Sequence, residues 1–134
     1  MKRTGAATVE MALVLPVVLL FAFACVDFGR VVHAYVVVSN AARCGAEYGS
    51  MHKFTTYTHP FWESEVRLAI EQEMEGLASF DAGNLQTTLT TSTDADGLFR
   101  LDVEVRYPFQ TVVHWPGVPS QTVLNHRVSM RQIR

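Results

Sequence analysis

Residues 5–30 read GAATVEMALVLPVVLLFAFACVDFGR, and the fold turns on them. From Ala6 to Val26 the only charge is Glu10. That run of 21 residues is about 31 Å long as a helix, enough to cross a typical hydrocarbon core. Lys2 and Arg3 precede it in the leader Met1-Lys2-Arg3-Thr4-Gly5. The positive-inside rule therefore predicts a single-pass membrane protein with a cytoplasmic N-terminus and the bulk of the chain on the far side. A carboxylate in hydrocarbon costs on the order of 3 kcal/mol. A plain anchor gains nothing from that cost, so Glu10 is either an accident tolerated near the end of the span or a group that works with a partner. Pro16 cannot donate to the carbonyl of Ala12, which predicts a kink or a loosened turn in mid-span. A cleaved secretory signal is a competing reading, with Ala22-Phe23-Ala24 as the cut site before Cys25. An uncut signal anchor is another.

Working outward, nothing stops the helix at Asp27. Phe28, Val31, Val32, Tyr35, Val36 and Val38 continue an apolar side, and Arg30, His33, Ser39 and Asn40 supply a wetter one. One helix from about Ala7 to Tyr48 is predicted, with Gly49 as its stop. Ala41, Gly45 and Gly49 recur every four residues. Small residues at that spacing admit a close neighbour, either the protein's own sheet or another subunit. Cys25 and Cys44 on one helix stand roughly 28 Å apart, too far for a disulfide. Cys44 reads as a small packing residue, with a free thiol or an intermolecular bridge as the alternatives.

The outer part begins with a polar loop, Ser50 to His59. A second helix runs from Pro60 to Glu75, with Trp62, Val66, Ala69, Ile70 and Met74 as its apolar stripe. Gly76 is its expected cap, with Leu77 making the accompanying contact. Glu63–Arg67 and Arg67–Glu71 are i, i+4 pairs. The period then changes to two. Leu85, Thr87, Leu89 and Thr91 form one strand. Phe99, Leu101, Val103, Val105 and Tyr107 share the inner face of a second, which Pro108 ends. Between them, Asp96-Gly97 signals a hairpin turn. Asp94-Ala95-Asp96-Gly97 resembles the start of a calcium loop, but no further ligands follow at the required spacing. A last strand covers about Thr122 to Ile133, with Leu124, Val128 and Met130 inward. His126 shares that apolar face and reads as an edge residue. The apolar loop Phe109–Pro119 contains Phe109, Val112 and Trp115, candidates for a partner or membrane contact. Folding back over the sheet is the alternative.

The predicted fold class is α+β. A long N-terminal helix, transmembrane in its first half and amphipathic in its second, packs against a second helix and a small antiparallel sheet. Residues 1–5 form the leader, 6–49 the transmembrane helix and 50–134 the outer domain. At 134 residues the chain allows one small globular unit. Its apolar content is concentrated in residues 6–38, which argues against a polytopic protein. A net charge of −2 without a basic cluster gives no case for nucleic acid. No phosphate loop, nucleophile elbow, paired-cysteine motif or helical histidine pair is present. The chain reads as neither an enzyme nor a cofactor protein, and His52, His59 and Glu63 make only a weak case for a metal.

Gly5, then Ala6-Ala7-Thr8-Val9-Glu10 and an uninterrupted apolar helix, resemble the processing site of the type IV pilin superfamily. Phe28-Gly29-Arg30, Asn40-Ala41-Ala42-Arg43, Gly45-Ala46 and Val103-Glu104-Val105-Arg106-Tyr107-Pro108-Phe109 narrow the resemblance to TadE-like pseudopilins. These are minor subunits of tight-adherence (Flp) pili. Ala6 departs from the phenylalanine usual at this position in ordinary type IV pilins. The resemblance implies a prepilin peptidase cut between Gly5 and Ala6, and often methylation of the new amine. It also implies a location in the bacterial cytoplasmic membrane or in a surface filament used for attachment. The implied partners are the peptidase, a second TadE-like subunit, the major Flp pilin and the assembly machinery. Glu10 on one subunit would neutralise the new amine of Ala6 on the next, and the cost of a lone carboxylate would be relieved on assembly. The alternative is an uncut bitopic protein that presents a small α+β binding module.

Overall fold

The computed structural model describes residues 4–93, 97–113, 117 and 119–132. Helix α1 spans Thr4–Met51 and helix α2 spans His59–Met74. A 3-10 turn at Ala82–Asn84 leads into strands β1 (Gln86–Thr93), β2 (Phe99–Gln110) and β3 (Gln121–Arg131). The strands form an antiparallel meander in the order β1-β2-β3. The architecture is α+β, as expected. The calcium-like Asp94-Ala95-Asp96 lies outside the described residues.

The second half of α1 is the spine of the globular head. It lies against α2, β2 and β3. Its buried face comprises Ala34, Val37, Val38, Ala41, Ala42 and Ala46. Trp62, Val66, Ile70 and Met74 bury the facing stripe of α2. Ala69 is only half-buried, at the margin of that stripe. The strict alternation of β2 buries Leu101, Val103, Val105, Tyr107 and Phe109. Its other face carries Asp102, Glu104 and Arg106, which pair with Arg127 and Asn125 of β3 or with each other. Arg67 of α2 donates to Glu63 and to the carbonyl of Thr87, which ties α2 to β1.

Three local expectations are corrected. Gly49 does not stop α1, which runs on to Met51. Its carbonyl accepts from Trp62 Nε1 at 3.3 Å, and its bare Cα lets α2 and β2 close over the helix. Gly76 does not adopt the left-handed cap conformation. The helix ends instead in right-handed turns, with Gly76 N–H on the Glu73 carbonyl and Leu77 N–H on that of Met74. Pro108 does not end β2, where it stands opposite Val123 of β3. The pairing of β1 with β2 ends at Arg106, so β2 is an edge strand at Pro108 and tolerates its missing N–H.

Candidate functional site

The first half of α1 belongs to no core. Every side chain from Ala7 to Phe23 is exposed, and none of the most apolar window is buried. Among the described residues, α1 alone is long and apolar enough to cross a membrane. Gly5 and Ala6 lie in its first turns, with Glu10 about one turn further and exposed. Pro16 stands inside the helix, which continues through it to Met51. The apolar ridge around Glu10 includes Val9 and Met11, both largely exposed. Among the described residues nothing apolar covers this surface, as expected of a segment whose surroundings are lipid or other helices.

Where the apolar run ends, the chain builds a constrained polar site. Asp27 is 4% exposed. Its Oδ1 accepts from Val112 N–H and its Oδ2 from Val113 N–H, both at 3.1 Å. Arg30 Nη1 lies 3.2 Å from Oδ1, one helical turn on. The Arg30 guanidinium also sits over the Phe109 ring, 5.4 Å from its centroid. Buried carboxylates need such donors, because an unpaired charge away from water is costly. Asp27 therefore latches the start of the β2–β3 loop onto α1. A cavity of about 480 Å³ opens beside the latch, with Arg30, His33, Tyr107 and Phe109 in its wall.

The latch divides the candidate partner loop. Phe109 is buried in the core, which removes it from the expected contact surface. Val112 is 68% exposed while its amide is held by Asp27. Trp115 lies outside the described residues. The loop's start folds back, but onto α1. Asp27 carried no expected role in the sequence. A signal was nonetheless there, because residues 27, 31, 34, 38, 41 and 45 follow the spacing of the buried face of α1. A charge in register with a core stripe points to a buried partner.

The small-residue stripe is occupied within the chain. A Cβ on Gly45 would lie 2.5 Å from Ile70 Cγ1, and one on Gly49 would meet Leu101, with Trp62 Cζ2 at 3.0 Å. Ala41 is fully buried in the same core. On the next strand, His126 reaches two α1 side chains, Ser39 at 3.2 Å and Tyr35 at 3.4 Å.

The remaining chemistry-bearing residues are dispersed. Among the described residues, no group of three or more His, Cys, Asp or Glu side chains is placed to hold a metal. His52 stacks on Tyr48 and contacts its carbonyl, whereas His59 packs against Phe54 and Trp62. Cys25 and Cys44 are both free thiols. Burial pushes the Cys44 thiol above its ordinary pKa, and the carboxylates of Glu73 and Glu47 add to the rise. That is the opposite of an activated nucleophile.

Residues 5–47 match the family described as TadE-like protein. The match covers Gly5, Ala6, Glu10, Pro16 and the latch residue Asp27, and it ends inside the head-forming part of α1. No match to the chain was found among curated proteins or among solved structures.

Proposed function

With residues 5–47 matching the TadE-like family, we propose that this chain is a structural pseudopilin of a tight-adherence pilus. The observation that carries this reading is the position of the match. It begins at Gly5 and includes Glu10 in an apolar helix that none of the described residues covers. In this reading a prepilin peptidase cuts between Gly5 and Ala6 in the cytoplasmic membrane. The head, from about Asp27 onward, stands on the extracytoplasmic side.

Assembly then works through charge. The cut leaves a positive amine on Ala6, and Glu10 of an adjacent subunit neutralises it. A lone carboxylate is disfavoured in lipid and a paired one is tolerated, so insertion beside a partner at the correct register is favoured. The partners are the peptidase, a second TadE-like subunit, the major Flp pilin and the assembly machinery. No step requires a catalytic group on this chain.

Intact mass of the protein recovered from native membranes and sheared filaments tests the reading. The expected chain begins at Ala6, with or without a methyl group on its amine. Retention of Met1–Gly5 in all fractions would favour an uncut bitopic protein displaying its head as a binding module. A chain beginning at Cys25 would exclude both.

A further inference from the structure

We infer that the corner at Thr111–Val113 is a second membrane contact, held by Asp27 at the boundary between the acyl chains and the headgroups. The inference rests on the apolar half of α1 lying in a bilayer, and not on processing or assembly.

Four observations carry it. Asp27 is the first residue after the apolar run, so in a spanning helix it marks the edge of the hydrocarbon core. Side chains on a helix tilt toward its N-terminus, so the carboxylate of Asp27 reaches back toward the bilayer. The amides of Val112 and Val113 are bonded to that carboxylate at 3.1 Å, so the corner lies beside the Asp27 side chain, close to where the apolar run ends. Val112 is 68% exposed there, an apolar side chain left largely open by the described residues. Arg30, about 4.5 Å higher along the helix axis, is 40% exposed. That height falls within the headgroup layer, where Arg side chains are favoured. An apolar tip below a cation is the pattern of an interfacial anchor. The occupant it fits is the lipid surface around α1. Helix and corner together give the head two attachment points and fix its tilt. A single helix would leave the head free to rock.

The test uses the full chain in vesicles of phosphatidylcholine and phosphatidylglycerol. In a Cys25→Ala, Cys44→Ala background, single cysteines at positions 112, 13 and 57 carry an environment-sensitive fluorophore. Quenching by brominated lipid and by aqueous iodide is compared. Tyr57, 96% exposed in the loop beyond the distal end of α1, is the aqueous reference. The label at 112 is expected to be quenched by brominated lipid several-fold more than the label at 57. Asp27→Ala is expected to move it toward the behaviour of the label at 57. A label at 112 as aqueous as that at 57, with the label at 13 in lipid, overturns the inference alone. A label at 112 shielded from both quenchers means that protein covers the corner, and also overturns it. A label at 13 in water overturns the span and the inference together.

Discussion

Gly49 and Gly29 are both helical glycines of α1, yet alanine should act on them with opposite sign. At Gly29 an added Cβ meets nothing within 4 Å, so Gly29→Ala should stabilise by about 0.5–1 kcal/mol through helix propensity alone. At Gly49 the added Cβ meets Leu101 and also Trp62 and Val66, side chains from two packed elements. Gly49→Ala should cost about 1–3 kcal/mol as overpacking exceeds the propensity gain. Gly45→Ala should fall between them, because the obstructing atoms belong to one side chain, Ile70. Thermal melting in detergent followed by circular dichroism measures all three. A higher melting temperature for Gly49→Ala would show that the helices do not close as described. Asp27 is the other residue with an outsized role. Hydrogen bonds to a charged group contribute about 1.5–3 kcal/mol each. Asp27→Ala should therefore lower the exchange protection of the Val112 and Val113 amides by at least roughly tenfold. Unchanged protection would remove the latch. Arg30, one turn on, was visible in the sequence, but two further partners of Asp27 are backbone amides 85 and 86 positions away, which hid the latch itself. Backbone donors leave no mark on side-chain identity.

At the scale of elements, the outer face of the β2–β3 pair makes the fold sensitive to acid. A hydrogen bond from Ser129 and the Arg127 guanidinium hold the Asp102 carboxyl below its ordinary range. Arg106 and Asn125 do the same for Glu104. A carboxylate depressed in the folded state binds protons more readily when unfolded. Its stabilisation is present above the ordinary carboxylate pKa of about 4 and is lost as pH falls through and below it. The melting temperature should decline modestly below about pH 4.5, because both groups lie on a solvated face where screening limits their effect. Asp102→Asn should flatten that decline, and an unchanged slope would assign the acid sensitivity elsewhere. These strands were the most legible part of the sequence, since alternation from Phe99 to Tyr107 can be satisfied only with one face buried. The extent of β2 was not legible. Pro108 reads as a stop unless β1 is known to end its pairing at Arg106, and that depends on the register between strands. Gly49 misled for a similar reason. A glycine that permits close packing and a glycine that ends a helix look alike until the neighbour is known.

In the whole molecule, folding uses the second half of the long helix, and the proposed assembly would use the first. The hydrophobic core begins at Val31 and Ala34 of α1, and none of the described residues before Asp27 contributes to it. The long helix, second helix and sheet could be read from the sequence because each buries a face within the chain. The purpose of Glu10 could not be read from one chain, since it is exposed there and its proposed partner is an amine on another copy. The separation makes a sharp prediction for Glu10→Ala. The head should melt as in the parent chain, because no core contact is touched. Membrane association should persist, because removing a charge from the span favours insertion. Assembly should fail. Loss of one partner from a buried ion pair costs about 3–5 kcal/mol, roughly a hundredfold or more in an association constant. Mature protein should accumulate in the membrane and disappear from sheared filaments. Three measurements on the same cells separate the terms: melting of the purified protein, its share in the membrane fraction, and its share in the filament fraction. Normal recovery of Glu10→Ala from filaments would reduce the carboxylate to a tolerated charge near the end of a span. A lowered melting temperature would instead mean that the two halves of α1 are coupled through contacts the folded chain does not contain.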